Sequence, residues 1–325
     1  MALSNLPNFE LVGSTIVIPK NQEDNSFLEG LTPLEKEQLI LHTGIKFRRV
    51  APESDKIENY FQLGISQLLD QLNWEPSQID VLICVTQSLQ TPIPSFSCQI
   101  HGLMNFPLGT LCYDINSGCS GFVYGVHTVM SIMNSLSKAN AKAILCCGDF
   151  SSQLIDRNDK STLPIFSDAV SISGIEKKNT GMISHFNLET DGSGRNAIFL
   201  QDKTMKLNGI DVFNYSLKLV PNHLRELFKL AEIEFPEKEV VVFHQANKLI
   251  NDSLIKRLNL DSNKVPSTLY QFGNTASASI PLSLGIYASK NPVTRAVLCG
   301  FGVGFSLASA LVYLSSDYKF CIIEK

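Results

Sequence analysis

The stretch Asn116-Ser117-Gly118-Cys119-Ser120-Gly121, with the apolar run FVYGVHTVMSIM directly behind it (residues 122–133), decides how the chain is read. Phe122, Val123, Val126, Val129, Met130, Ile132, Met133 and Leu136 occupy more than one face of a helical projection, so the helix they form is expected to be surrounded by protein. A buried helix aims its N-terminus inward. A thiol at that end faces unpaired N–H groups and the positive end of the dipole, which predicts a pKa below the ~8.5 of a free cysteine. The small neighbours Ser117, Gly118, Ser120 and Gly121 leave room for a substrate. The motif is not the nucleophile elbow of the α/β-hydrolases, because Ser117 stands where that elbow has its first glycine. Taken alone, Cys119 reads equally as a nucleophile or as one more small buried residue.

Working outward, the chain repeats a rhythm. The apolar strand IDVLICVTQ (79–87) is followed by TLCYDIN (110–116), the cysteine and its helix, and the strand AKAILCCGD (141–149). Later, VVVFHQA (240–246) is followed by the helix-like NKLINDSLIKRL (247–258), then LYQFGNTASASIPLSLGIYA (269–288) and TRAVLCGFG (294–302). In both parts a turn of small residues opens an apolar helix, and a strand of related pattern follows. The reading is a duplicated βαβα unit on mostly parallel strands with buried central helices, divided into residues 1–180 and 181–325. Asn274 is then the counterpart of Cys119, and His244, at the tip of a buried strand, stands beside both if the halves pack about a pseudo-twofold axis. The histidines at 42, 101, 127, 185 and 223 have no comparable setting.

Composition narrows the function. A net charge of -4 without a basic stripe argues against nucleic-acid binding. Eight cysteines without CxxC or metal-type spacing read as reduced thiols of a cytoplasmic protein, with no metal site. The opening MALSNLPNFE lacks the pattern of an export signal. AVLCGFGVGFSLASALVYL (296–314) carries no charge and approaches the ~20 residues that cross a bilayer. Glycines 300, 302 and 304 break it into two runs that suit buried strands joined at a turn, so no membrane span is expected.

The blocks DINSGCSGF, HQAN, GNTASASIP and GFGVGFS, with TGIKFRR and PSFSCQIHGL further out, resemble the signature blocks of the ketoacyl-acyl-carrier-protein synthase III family, the initiating condensing enzymes. The resemblance covers nearly the whole chain in order and spacing. It implies an α/β thiolase-like fold, a five-layer α-β-α-β-α sandwich, and a homodimer. It also implies that Cys119 takes an acyl group from acyl-coenzyme A or an acyl-carrier protein, with backbone N–H groups of Cys119 and Val303 as the oxyanion hole. A malonyl-carrier protein then loses carbon dioxide, His244 and Asn274 hold the resulting enolate, and the carbanion attacks the acyl-cysteine. No permanently bound cofactor is implied.

Departures from the family pattern bear on the substrate. Gln38 replaces the tryptophan expected before TGI, and Lys46 replaces the arginine after it; adenine stacking is lost and a bidentate phosphate contact becomes a point charge. An arginine expected after the CGD strand is Gln153, with Arg157 nearby. Beyond HQAN the chain has Lys248 and Leu249, and Lys256, Arg257 and Lys264 give that helix a basic side. That side either receives an acidic carrier protein or is a solvated face balanced by Asp252 and Asp261. FSDAVS (166–171) keeps Asp168 but lacks two glycines usual in the family, so a different backbone shape is expected. Ile93 stands where relatives place a phenylalanine that reaches into the partner's acyl tunnel, which suggests a longer or branched primer. A second reading keeps the acyl-cysteine but passes the acyl group to a hydroxyl or amine of a small metabolite or sugar. A non-catalytic subunit is disfavoured, because Cys119, His244 and Asn274 are all present.

Overall fold

Sequence signals set the first elements. The computed structural model describes residues 2–89, 91–233 and 239–325. It opens with β1 (Ala2–Pro7) and β2 (Phe9–Ile18), and a short ribbon of β3 (Gln22–Asp24) and β4 (Phe47–Arg49) encloses α1 (Pro33–Thr43). Thr32 and Glu35 form a capping box on α1, Pro33 occupies its first turn, and Gly44 ends it in the left-handed region at φ 74°. The first half continues with α2 (Ile57–Leu72), β5 (Val81–Val85), α3 (Phe96–Leu103), β6 (Leu111–Ile115), α4 (Gly121–Ser135), β7 (Lys142–Asp149) and β8 (Ala169–Lys177). The second contains β9 (Ile183–Thr190), a ribbon of β10 (Ile198–Gln201) and β11 (Thr204–Leu207), α5 (Gly209–Leu230), β12 (Val240–Phe243) and α6 (Lys248–Leu258). It closes with α7 (Leu269–Phe272), α8 (Ser279–Ala288), β13 (Arg295–Gly302) and β14 (Ser306–Glu324).

The duplication shows in strand order and direction. The run β5–β7–β8–β2 has one parallel pair followed by two antiparallel ones, and β12–β13–β14–β9 repeats that pattern. β6 extends the first sheet beside β5, and β1 extends the second beside β9. The sheets are therefore mixed, not mostly parallel as the sequence suggested. β14 follows β13 after the three-residue turn Val303–Phe305, a connection that only antiparallel neighbours allow, whereas β8 returns beside β7 after the longer segment 150–168.

α4 and α8 pack against strands of both sheets and form the middle layer. α2 and α3 cover the outer face of the first sheet, while α5 and α6 cover the second. The result is the thiolase-like five-layer α/β sandwich. On α4, Phe122, Val123, Val126, Val129, Met130 and Met133 are at most 1% exposed, each burial contributing about 1.5–3 kcal/mol. Gly121 and Gly125 let α4 approach the sheet, since a Cβ would come within 2.5 Å of Val85 and 2.6 Å of Leu145.

β14 joins the two sheets. Its first part pairs with β13 and β9; beyond a register break between Leu314 and Lys319, residues up to Glu324 run parallel to Gly13–Ile18 of β2. The uncharged segment 296–314 is thus the buried β13–β14 hairpin, and no described helix is long and apolar enough to cross a membrane.

Candidate active site

Cys119 lies one residue before the Ser120 cap of α4 and is 5% exposed. The end of β13 passes directly over it. A Cβ at Gly302 would sit 2.9 Å from both Cβ and Sγ of Cys119, and one at Gly300 would meet the Ser120 backbone at 2.6 Å. Gly302 also holds φ 152°, and the chain then turns through Val303. The N–H groups of Cys119 and Val303 both point at the sulfur.

The thiol itself behaves otherwise than its place at a helix start predicts. Burial pushes it up to about 12, the nearby Asp149 carboxylate pushes the same way, and the two N–H groups only partly offset this. The resting group is therefore a protonated thiol.

His244 follows the last residue of β12 and is 1% exposed. Its N–H donates to Cys299 O at 2.8 Å on the neighbouring strand β13, which fixes the backbone. Nδ1 lies 2.8 Å from Ser279 Oγ at the start of α8, and that oxygen accepts from Gln245 N–H at 3.4 Å. Burial lowers the imidazole to about 3, so the ring is neutral.

Asn274 is locked by its backbone, with N–H donating to Ile165 O and C=O accepting from Ser167 N–H, both at 2.9 Å. Oδ1 accepts from Ala276 N–H at 3.0 Å, while Nδ2 has only a long contact of 3.4 Å to Ala246 O. The amide donor is thus oriented and largely unspent.

Cys119, His244 and Asn274 line one cavity of about 130 Å³, with Phe166, Val212, Asn247 and Phe301 among its other walls. The far side of Cys119 faces a smaller chamber of about 30 Å³ bounded by Gln87, Asp149, Leu154, Met205 and Val303. The first cavity can hold a thioester beside three groups of distinct chemistry: a nucleophilic sulfur, a neutral imidazole and an amide donor.

The cations expected to bind the donor or the carrier protein, and Ile93, lie outside both chambers. Lys46 sits over the Phe47 ring at 5.1 Å. Arg157 pairs with Glu23 at 2.5 Å on the rim of a separate cavity of about 720 Å³. Lys248 opens α6 and is paired with Asp252, which favours the solvated-face reading at that end, whereas Lys256 and Arg257 are exposed on the last turn. Ile93 projects from the segment before α3, 84% exposed. No residue from 166 to 171 needs a positive φ, so FSDAVS enters β8 as ordinary extended backbone. The glycine that the crowding requires lies opposite, at Gly148, where a Cβ would collide with Ala169 O at 2.5 Å.

Two neighbours of the site escape sequence reading. Ser279 is 35 residues from its histidine, and only the tertiary fold joins them. Asp149 ends a strand whose register is invisible in sequence. Among the described residues no group of three or more His, Cys, Asp or Glu side chains could hold a metal ion.

Known proteins of this kind match in sequence and shape. The 3-oxoacyl-[acyl-carrier-protein] synthase III family description matches residues 113–192, and its C-terminal counterpart matches 230–314. The β-ketoacyl-[acyl-carrier-protein] synthase III of Acholeplasma laidlawii is 28% identical over 319 residues, covering 95% of this chain and 99% of that protein. That of Aquifex aeolicus is 28% identical over 314 residues, covering 93% and 98%. The crystal structure of a 3-oxoacyl-(acyl-carrier protein) synthase from Burkholderia xenovorans superposes with a TM-score of 0.94 at 26% identity, covering 100% of this chain and 99% of that one. With matched segments that hold Cys119, Val303, His244 and Asn274 and together span just over half of its length, the chain belongs to the 3-oxoacyl-[acyl-carrier-protein] synthase III family.

Proposed function

We propose that this condensing enzyme of the synthase III type uses Cys119 as its acyl-carrying nucleophile, and His244 and Asn274 as the donors that stabilise a malonyl-derived enolate. The observation that carries the reading is that all three line one cavity while two backbone N–H groups converge on the sulfur. In the first step Cys119 Sγ bonds to the carbonyl carbon of an acyl thioester, and the donor departs as a thiol, carrying the proton that Cys119 loses. The N–H groups of Cys119 and Val303 receive the oxyanion. In the second step the carboxylate of malonyl-acyl-carrier protein leaves as carbon dioxide, its bonding electrons pass to the enolate, and Nε2–H of His244 and Nδ2–H of Asn274 donate to the enolate oxygen. The carbanion attacks the acyl carbon, the bond from that carbon to Sγ breaks, and the Cys119 thiolate takes a proton from water to restore the thiol.

Neutral donors suit this task. A histidine held neutral and an amide that never titrates supply hydrogen bonds without a counter-charge that would stabilise the malonyl carboxylate before it leaves. The acyl donor is acyl-coenzyme A or acyl-carrier protein. Lys46, Arg157, Lys248, Lys256 and Arg257 are the proposed cations for the donor or the acidic carrier protein, with Lys256 and Arg257 the most available because they are exposed. The proposed setting is the cytoplasm, where eight free cysteines stay reduced.

The proposed assembly is a homodimer through the edge of β6. That strand has no neighbour on its outer side among the described strands, and around it Ile93, Leu108 and Leu111 expose apolar surface. Ile93 would then reach toward the partner's acyl chamber. The division at residues 180 and 181 falls between β8 and β9 and is the proposed seam of the duplication.

Mass mapping of peptides after incubation with acyl donors, followed by malonyl-carrier protein and measurement of carbon dioxide, tests the assignment. An acyl mass on Cys119 followed by carbon dioxide release is expected. An adduct without malonyl decarboxylation would move the assignment to acyl transfer onto a hydroxyl or amine, and no adduct with any donor would remove Cys119 from the mechanism.

A further inference from the structure

Asp149, the last residue of β7, is 3% exposed and belongs to none of the steps above. Both of its oxygens are nevertheless engaged, Oδ1 strongly and Oδ2 by one long contact. Oδ1 accepts from Gln87 N–H at 2.5 Å, Thr86 Oγ at 2.9 Å and Ser88 N–H at 3.1 Å, and Oδ2 accepts from Ser277 Oγ at 3.4 Å. The first three donors lie on the loop after β5, in the first half of the chain. Ser277 lies three residues beyond Asn274, in the second.

Each end of this network reaches a proposed catalytic group. Gln87 donates from Nε2 to Asn116 Oδ1 at 2.9 Å, and its Oε1 lies so close over Gly118 that a Cβ there would be 2.5 Å away. The Asp149-pinned loop therefore braces the 116–118 turn that presents Cys119. At the other end Ala276 N–H holds Asn274 Oδ1, and Ser277 is the next residue. Asp149 also lines the small chamber with Cys119 and Val303.

We propose that Asp149 is a positioning residue that ties the nucleophile turn of one half to the enolate-binding turn of the other, and sets the electrostatic environment of Cys119. The proposal rests on the assignment of Cys119 and Asn274 above. A carboxylate suits the position because it accepts without donating, and every neighbour named is a donor. The contacts from Gln87, Thr86 and Ser88 favour the ionised form, while burial, which outweighs them, pushes the carboxyl above its ordinary range. The titratable groups around it are the thiols of Cys119 and Cys147 and the carboxyl of Asp168, with His244 across the cavity from Cys119. Of these only Cys119 opens onto both chambers. The carboxylate has a second effect, since its charge disfavours the Cys119 thiolate.

The test uses the whole protein, with Asp149→Asn and Ser277→Ala. Alkylation of Cys119 by iodoacetamide across a pH series, followed on the Cys119 peptide by mass, needs no thioester and so reads the positioning independently of the condensing reaction. In Asp149→Asn the alkylation midpoint is expected to fall, and at any pH well below both midpoints alkylation should be about tenfold faster for every pH unit by which it falls, while condensation slows at least tenfold. A residue of purely structural importance would slow condensation without moving that midpoint downward. Ser277→Ala, a small change that cuts only the link to the second half, is expected to slow malonyl decarboxylation several-fold more than self-acylation. An unmoved alkylation profile in folded Asp149→Asn, or Ser277→Ala with both steps at the wild-type rate, would overturn the proposal.

Discussion

Ser279 stands between Gln245 N–H and Nδ1 of His244. Its oxygen accepts from Gln245, and a hydroxyl proton given to Nδ1 would keep the ring proton on Nε2, the tautomer that the proposed enolate contact requires. Ser279→Ala should therefore slow malonyl decarboxylation more than self-acylation, and Asn274→Ala should cost decarboxylation about 10²–10³-fold; separate assays of the two half-reactions check both. Equal losses in both steps would assign Asn274 a structural role only. The ring's low pKa has two consequences. Decarboxylation should not lose rate through imidazole titration between about pH 5.5 and about 7.5, and a pH profile with a midpoint near the ordinary 6.5 would contradict the neutral buried ring. Stability responds as well: between 6.5 and about 3 the unfolded chain binds a proton that folded His244 refuses, so this group makes the protein less stable as pH falls through that window. His244→Gln should flatten that part of a urea-midpoint against pH curve. At this scale the sequence was informative about which residues meet in one cavity and about a neutral imidazole, and misleading about the ionisation of the thiol. Cys119, His244 and Asn274 were visible as polar residues at the tips of apolar elements, but the thiol's upward shift depends on enclosure and on Asp149, neither of which motif spacing records.

At the scale of elements, the placement of Cys119 depends on α4 being held between two sheets. Met130 is fully buried there, and Met130→Ala should cost about 2–5 kcal/mol in urea unfolding; a cost below about 1 kcal/mol would mean that the middle layer can collapse around the gap. The apolar pattern over several faces announced this burial directly, as did the break of the 296–314 segment at its glycines. Strand direction was less legible. A parallel and an antiparallel buried strand have the same apolar pattern, and only the pairing partner distinguishes them. The glycines illustrate a second limit: FSDAVS was expected to take a different backbone shape because it lacks two glycines, yet the close approach falls across the ladder at Gly148, and a residue's register partner cannot be read from its own neighbourhood.

For the whole molecule, the outer edge of β6 and the exposed side chains of Leu108 and Leu111 carry the proposal of a dimer. Sedimentation velocity should find a dimer at micromolar concentration, and the pair Leu108→Glu and Leu111→Lys should yield monomers that acylate poorly if the partner's Ile93 completes the acyl chamber. A wild-type monomer at all concentrations would reject that assembly. β14 raises a matter of timing. Cys321 and Thr15, facing each other on adjacent strands, are 306 residues apart in the chain, so while the polypeptide is being made β2 must wait with an open flank until residues 319–324 emerge. Contacts this distant form late and slowly. With β8 in place at residue 177, the first half thus spends the synthesis of the entire second half with its sheet unfinished, a window in which a passing chaperone, or another nascent copy of the same chain, meets an edge that the finished enzyme never shows.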